Sequence, residues 1–134
     1  MDVIHVAIPV SDLESTLEFY VDGVGLERSK SFTGDDGIEN VYVSGDSAPE
    51  IQFTYDPETP LERSGRDARP LREHVAIGVE DVDETFRRLV DRVDPPVVAE
   101  PYREAASGSR IAFVRDPDGY VVELVERTTR PEDS

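Results

Sequence analysis

Apolar and polar positions along this chain alternate between two periods, and the change from one to the other happens twice. "VIHVAIPV" (3–10) is a β-branched run of strand type, after which Leu13, Leu17, Tyr20, Val21 and Val24 follow at helical spacing. "HVAIGV" (74–79) is a second such run. Val82, Phe86, Leu89, Val90 and Val93 follow it, each 69 residues beyond its counterpart. Both helices open on a capping pattern, Ser11 with Glu14 and Asp81 with Glu84, and "DGVGL" closes the first. Three more strand-like segments follow each helix. In the first half they lie near "LERSKSF", "IENVYVS" and "EIQFTYD"; in the second, near "PVVAEPY", "RIAFVRD" and "YVVELVE".

The pattern predicts an α+β fold of two tandem βαβββ modules forming a curved mixed sheet. Within one domain it sets a first module at 1–56, a linker at 57–72, a second module at 73–127 and a C-terminal tail at 128–134. The phrases that lead into the two helices, "HVAIPVSDLEST" and "HVAIGVEDVDET", are identical at seven of twelve positions and contain the protein's only two histidines, His5 and His74. The final strands align as "EIQFT" against "VVELV", which pairs Gln52 with Glu123 at an offset of 71 and implies a loop difference of two residues. Each copy thus returns two polar strand positions, His then Gln and His then Glu. Strand alternation puts Ile51, Phe53, Val122 and Leu124 on the opposite face, toward the helices. One such polar residue would be unremarkable on a half-solvated sheet. Four at equivalent places of two modules point to a shared task.

Composition narrows that task. The chain of 134 residues has no cysteine, so there is no thiolate nucleophile or thiolate ligand, and any metal must be held by His, Gln, Asp or Glu. Two imidazoles, a carboxamide oxygen and a carboxylate suit an octahedral divalent ion and leave two positions open for water or substrate, as catalysis requires. Thirty acidic residues face fourteen basic ones, Lys30 being the only lysine, and the net charge of −16 excludes nucleic acid as a partner. A uniformly acidic, lysine-poor surface is that of a protein adapted to concentrated salt, a halophilic trait. No apolar run is long enough to cross a bilayer, and "MDVIHVAI" has no basic region ahead of an apolar one; the expected location is cytoplasmic.

From "IHVAIPVSDLESTLEFYVDGVGLE" through "EIQFTYD" and "EHVAIGVEDVDET" to "IAFVRDPDGYVVELVE", nearly the whole chain resembles the vicinal oxygen chelate superfamily, and within it the short glyoxalase I type, lactoylglutathione lyase. The resemblance implies the vicinal oxygen chelate fold and one divalent metal ion per site (Ni, Co, Zn or Mn) on His5, Gln52, His74 and Glu123, the four positions the repeat isolates. It also implies that Glu123 is the catalytic base. The reaction expected is isomerisation of the hemithioacetal of methylglyoxal and a small thiol to a 2-hydroxyacyl thioester. The chain departs from the short glyoxalase I type at Gln52, where a carboxylate is usual, at Pro9, where an arginine contacts glutathione, and at Asp56, where an asparagine does. These departures leave the thiol open. A His, Gln, His, Glu set is also similar to that of some methylmalonyl-CoA epimerases, which act on an acyl thioester, and the superfamily includes metal-free ligand-binding members.

The linker "DPETPLERSGRDARPLRE" carries Arg63, Arg66, Arg69 and Arg72 at every third position. In so acidic a protein they offer a local landing site for a carboxylate or phosphate on the substrate, with Arg103 and Arg110 beside "YREAASGSR". The resemblance further implies a homodimer, since members of this superfamily commonly cover their open sheet edges by pairing modules.

Overall fold

The computed structural model describes residues 1–47, 49–62, 69–71 and 73–127. The chain divides into two compact units, Met1–Ser64 and Gly65–Ser134, and each builds its own four-stranded mixed sheet. The first unit runs β1 (His5–Pro9), α1 (Leu13–Leu17) continuing as a π-helical segment (Glu18–Val24), β2 (Glu27–Thr33), β3 (Glu39–Ser44) and β4 (Glu50–Tyr55). The second runs β5 (His74–Val79), α2 (Val82–Val93), β6 (Val97–Arg103), β7 (Arg110–Arg115) and β8 (Val121–Glu126). The sheet orders are β1-β4-β3-β2 and β5-β8-β7-β6, with the first and last strands of each unit parallel and the other pairs antiparallel. Two βαβββ modules are therefore present, as the periodicity predicts.

The two helices start at equivalent places, on caps 69 residues apart, Asp12 and Asp81. In α2 the cap is the expected one: the Asp81 carboxylate accepts from the Glu84 backbone N–H at 3.1 Å. In α1 the cap is Asp12, not Ser11, because Asp12 is the residue left in the extended conformation (φ −159°, ψ 118°), and its carboxylate accepts from the Ser15 N–H at 3.0 Å. Such a cap is worth about 1 kcal/mol.

The buried face of the first helix is not centred where the apolar pattern puts it. Phe19, Tyr20, Gly23 and Val24 are buried with Thr16, while Leu13, Leu17 and Val21 are only half-buried. The five buried residues fall at i, i+3, i+4, i+7 and i+8, one helical stripe, so the inward face is turned toward Phe19 and Tyr20 and away from Leu13, Leu17 and Val21. Gly25 then ends the helix in the left-handed region (φ 104°), and 69 residues later Asp94 does the same for α2 (φ 44°).

In the first unit this helix packs on β3 and β4 through Tyr20, whose ring centroid lies 4.8 Å from those of both Phe19 and Phe53, with Val41 and Val43 also buried. In the second unit Val82 and Leu89 are buried along with Ala112, Val114, Val122 and Leu124. Burying a large apolar side chain contributes roughly 1.5–3 kcal/mol. These two cores hold the helices to one face of each sheet and leave the other face for polar chemistry.

Candidate functional site

Pairing in the two sheets places the four repeat positions identically. In the first unit Ala7 is the strand partner of Gln52, so His5 lies two residues from that partner on the same face of the neighbouring strand. In the second unit Ala76 partners Glu123, and His74 lies two residues from it. The offset of 71 between Gln52 and Glu123 is thus a structural equivalence. Within each unit the structure brings one imidazole beside one oxygen donor.

The pair in the second unit is in contact. His74 Nε2 lies 3.2 Å from Glu123 Oε1, and both side chains are partly open to solvent. Two ligands each about 2.1 Å from one ion and at right angles would be about 3 Å apart, so this separation fits two adjacent positions of an octahedral site. A tight turn delivers Glu123 to this place. Asp116, buried at the end of β7, accepts at one carboxylate oxygen from the backbone N–H groups of Asp118 and Tyr120, at 2.9 and 3.0 Å, and Gly119 completes the "DPDG" turn with φ 86°. β8 then starts at Val121, in register to set Glu123 opposite Phe113.

An aromatic ring stands beside each histidine. The Tyr42 ring meets His5 edge-on at 5.5 Å and the Phe113 ring meets His74 at 6.4 Å; Tyr42 is the strand partner of Gln52 as Phe113 is of Glu123. Tyr42 also stacks with Phe32 at 6.1 Å and lies under the Lys30 ammonium at 4.5 Å. Gln52 donates from Nε2 to Asn40 Oδ1 at 2.8 Å. The sequence reading missed Tyr42, Phe113 and Asn40. The offset of 71, carried back from β4 and β8 to β3 and β7, would have found the first two.

The arginine candidates have separate fates. Arg63, Arg66 and Arg72 lie outside the described residues. Arg69 donates through Nε to the Asp118 carbonyl at 2.9 Å and lies over the Tyr120 ring at 4.1 Å, which clamps it to the "DPDG" turn; burial raises the Tyr120 hydroxyl pKa. Arg103 donates to the Gly108 carbonyl at 2.6 Å, within its own loop. Arg110 forms a two-pronged pair with Asp83, Nε to Oδ2 at 2.6 Å and Nη2 to Oδ1 at 2.8 Å. The hydrogen bond from Arg110 holds the Asp83 carboxyl below the usual aspartate range. Asp56 is similarly occupied, accepting from Thr59 Oγ1 at 2.8 Å and from the Glu58 N–H at 3.0 Å; the Thr59 hydroxyl bond is the main cause of its lowered pKa.

Sequence reasoning also missed a second acidic group. Asp81, Asp83 and Glu126 offer carboxylate oxygens within 4.8 Å of one another. Each already has a partner: the Glu84 N–H for Asp81, Arg110 for Asp83, and the Val82 N–H at 3.0 Å for Glu126. The group ties the start of α2 to β7 and β8. It is absent from the linear pattern because Glu126 and Asp83 are distant in sequence and meet only through strand pairing.

Residues 3–124 match the family model of the Glyoxalase/Bleomycin resistance protein/Dioxygenase superfamily. A probable lactoylglutathione lyase of Synechocystis is 33% identical over 134 residues, covering 97% of this chain and 98% of the relative. Among solved structures, the trypanothione-dependent glyoxalase I of Leishmania major superposes with a TM-score of 0.73 at 29% identity, over 94% of this chain and 86% of that one. An antibiotic-binding protein from Streptomyces superposes with a TM-score of 0.68 at 25% identity, over 96% and 97%.

Proposed function

Because the chain belongs to the Glyoxalase/Bleomycin resistance protein/Dioxygenase superfamily, we propose that it is a metal-dependent, glyoxalase I-like lyase. It would isomerise the hemithioacetal of methylglyoxal and a small thiol to a 2-hydroxyacyl thioester, working in the cytoplasm. The observation that carries the reading is the His74–Glu123 pair at 3.2 Å, repeated in position by His5 and Gln52. Four donors of this kind would hold one divalent ion, Ni, Co, Zn or Mn. When bound, it would act as a Lewis acid on the substrate oxygens and stabilise an enediolate by several kcal/mol.

The chain's own part is proton transfer. A carboxylate is a base and a carboxamide is not, so the proton falls to Glu123 and Gln52 serves only to bind. Glu123 takes the proton from the hemithioacetal carbon and returns it to the neighbouring carbonyl carbon, while the hydroxyl proton of the first carbon passes to the oxygen of the second; the first carbon becomes the thioester carbonyl and the second bears the new hydroxyl. Tyr42 and Phe113 limit rotation of the two imidazoles. Arg63, Arg66 and Arg72 of the linker are the proposed docking place for an anionic group on the thiol, Arg69 being held by Tyr120 and the Asp118 carbonyl.

Relatives named lactoylglutathione lyase favour this reaction. The likeness to the Streptomyces antibiotic-binding protein favours a second reading, a metal-free binder of a small organic ligand. Metal analysis of protein purified without chelator separates the two, followed by titration of apoprotein with nickel, cobalt, manganese and zinc. Assays with hemithioacetals of several thiols, and with methylmalonyl-CoA, then identify the substrate. Near-stoichiometric binding of one ion with turnover of a hemithioacetal supports the lyase. Failure of every divalent ion to bind sinks it.

A further inference from the structure

We infer that Asn40 is a positioning residue that fixes the carboxamide of Gln52 with its oxygen outward, and so makes position 52 a place for glutamine and not glutamate. As a statement about metal binding this rests on the function proposed above; as a statement about the two side chains it does not.

The polarity follows from one group whose chemistry is unambiguous. The Ile38 carbonyl, at the β2–β3 hairpin, can only accept. It takes the Gly34 backbone N–H at 2.9 Å, which pins it in the turn, and the Asn40 side chain at 3.0 Å. The Asn40 atom facing it must therefore be the amide nitrogen, and the oxygen must point the other way, toward Gln52. An oxygen there requires a donor, so the Gln52 atom 2.8 Å away is Nε2 and the Gln52 oxygen is turned away from Asn40. Asn40 is only 8% exposed, so water is a poor substitute for either bond.

The second module supplies the contrast. Asn40 is the strand partner of Thr54, and the equivalent pair 71 residues on is Ile111 with Val125. Where the sheet face carries the carboxylate Glu123, the place of Asn40 is taken by an apolar residue with no polarity to impose. The asparagine occurs only in the module whose ligand-type residue is a carboxamide. A glutamate at position 52 would turn a carboxylate oxygen onto Asn40 Oδ1, and turning the Asn40 amide over to relieve this would set its oxygen against the Ile38 carbonyl.

The test begins on chelator-stripped protein. In ¹⁵N-labelled chain the Gln52 side-chain amide should exchange slowly with water and show contacts to Asn40, and Asn40→Leu should make it behave like an exposed glutamine. In urea unfolding without metal, Gln52→Glu should lower the folding constant by roughly 10-fold or more beside Asn40, and by much less in the Asn40→Leu background. Should Asn40→Leu fold poorly, Gln52→Met, which also lacks a donor but brings no charge, takes its place: Gln52→Glu must cost clearly more. With nickel titrated in, Asn40→Leu should weaken binding about 2- to 10-fold when Gln52 is present and leave it unchanged in Gln52→Ala. Fast exchange of the Gln52 amide, equal costs of Gln52→Glu in both backgrounds, or an equal effect on nickel in Gln52→Ala would each overturn the inference. A parent protein that binds no divalent ion would overturn the proposed function instead, while the exchange and unfolding results would still decide the role of Asn40.

Discussion

The imidazole of His74 and the carboxylate of Glu123 stand side by side on neighbouring parallel strands, Nε2 to Oε1 at 3.2 Å, because His74 pairs with Val121, two residues before Glu123. On the proposed function this carboxylate both binds and moves the proton, and one substitution separates the two tasks. Glu123→Gln keeps an oxygen of nearly the same shape and removes the base. Metal should remain bound, by direct metal analysis, while turnover of the hemithioacetal falls by roughly 10²- to 10⁴-fold. Full activity in Glu123→Gln would mean that the proton goes elsewhere.

At the equivalent position of the first module the opposite change applies. Gln52→Glu adds a negative donor, so a divalent ion should bind more tightly, by about tenfold or 1.4 kcal/mol, and isomerisation should be unchanged or faster. Beside Asn40 the same variant should be less stable without metal. Metal should therefore raise its melting temperature more than it raises the parent's, which thermal scans with and without nickel would show. Weaker metal binding in Gln52→Glu would argue that Gln52 is not a ligand.

Much of this architecture was legible because the chain states it twice. A strand run, a capped helix and three more strands recur at a fixed offset, and strand alternation alone sorts His5, Gln52, His74 and Glu123 from Phe53, Val122 and Leu124. Features that depend on pairing or on how a helix is turned by packing were not legible. Packing turns the first helix so that Phe19 is buried, while Leu17 and Val21, read as inward, are only half-buried. Asn40 on β3 reaches Gln52 on the neighbouring β4, and Arg110 reaches Asp83 from β7 to the start of α2. Neither partner choice is written in local spacing. The linker arginines show a further limit: Arg69 looked available as a free cation, but the aromatic face of Tyr120 and a turn carbonyl hold it.

Assembly follows from the edge of the first sheet. β1 is an edge strand, and Val3, Ile4 and Val6 on or just before it are 65%, 70% and 51% exposed. Apolar side chains along an open edge favour a covering partner. Sedimentation should find a homodimer, and Ile4→Asp with Val6→Lys should weaken association tenfold or more. Mixing His5→Ala with Glu123→Ala chains then locates the ligands. If one site draws on two chains, random exchange makes half the dimers mixed with one intact site each, and activity returns to about a quarter of the parent's. No recovery at proven exchange places all four ligands in one chain.

The pair between Asp83 and Arg110 makes a prediction about acid. The Arg110 hydrogen bond, the largest influence on Asp83, lowers its pKa in the folded protein from the ordinary 3.8. A carboxyl whose pKa falls on folding adds stability that is fully present above the unfolded value and is lost as pH drops through the folded one. Arg110 stays charged throughout, its own pKa raised by Asp83, with Glu126 and Asp81 adding smaller attractions. Asp83→Asn should therefore unfold at lower urea than the parent at pH 6–7. The gap should narrow as pH falls past about 4 and close once Asp83 is protonated in both states. Arg110→Met should narrow the same gap at neutral pH, and concentrated salt should shrink it, because the pair is open to solvent. A gap that stays constant from pH 7 to pH 3 would show that the carboxylate's charge contributes nothing to tying α2 to β7.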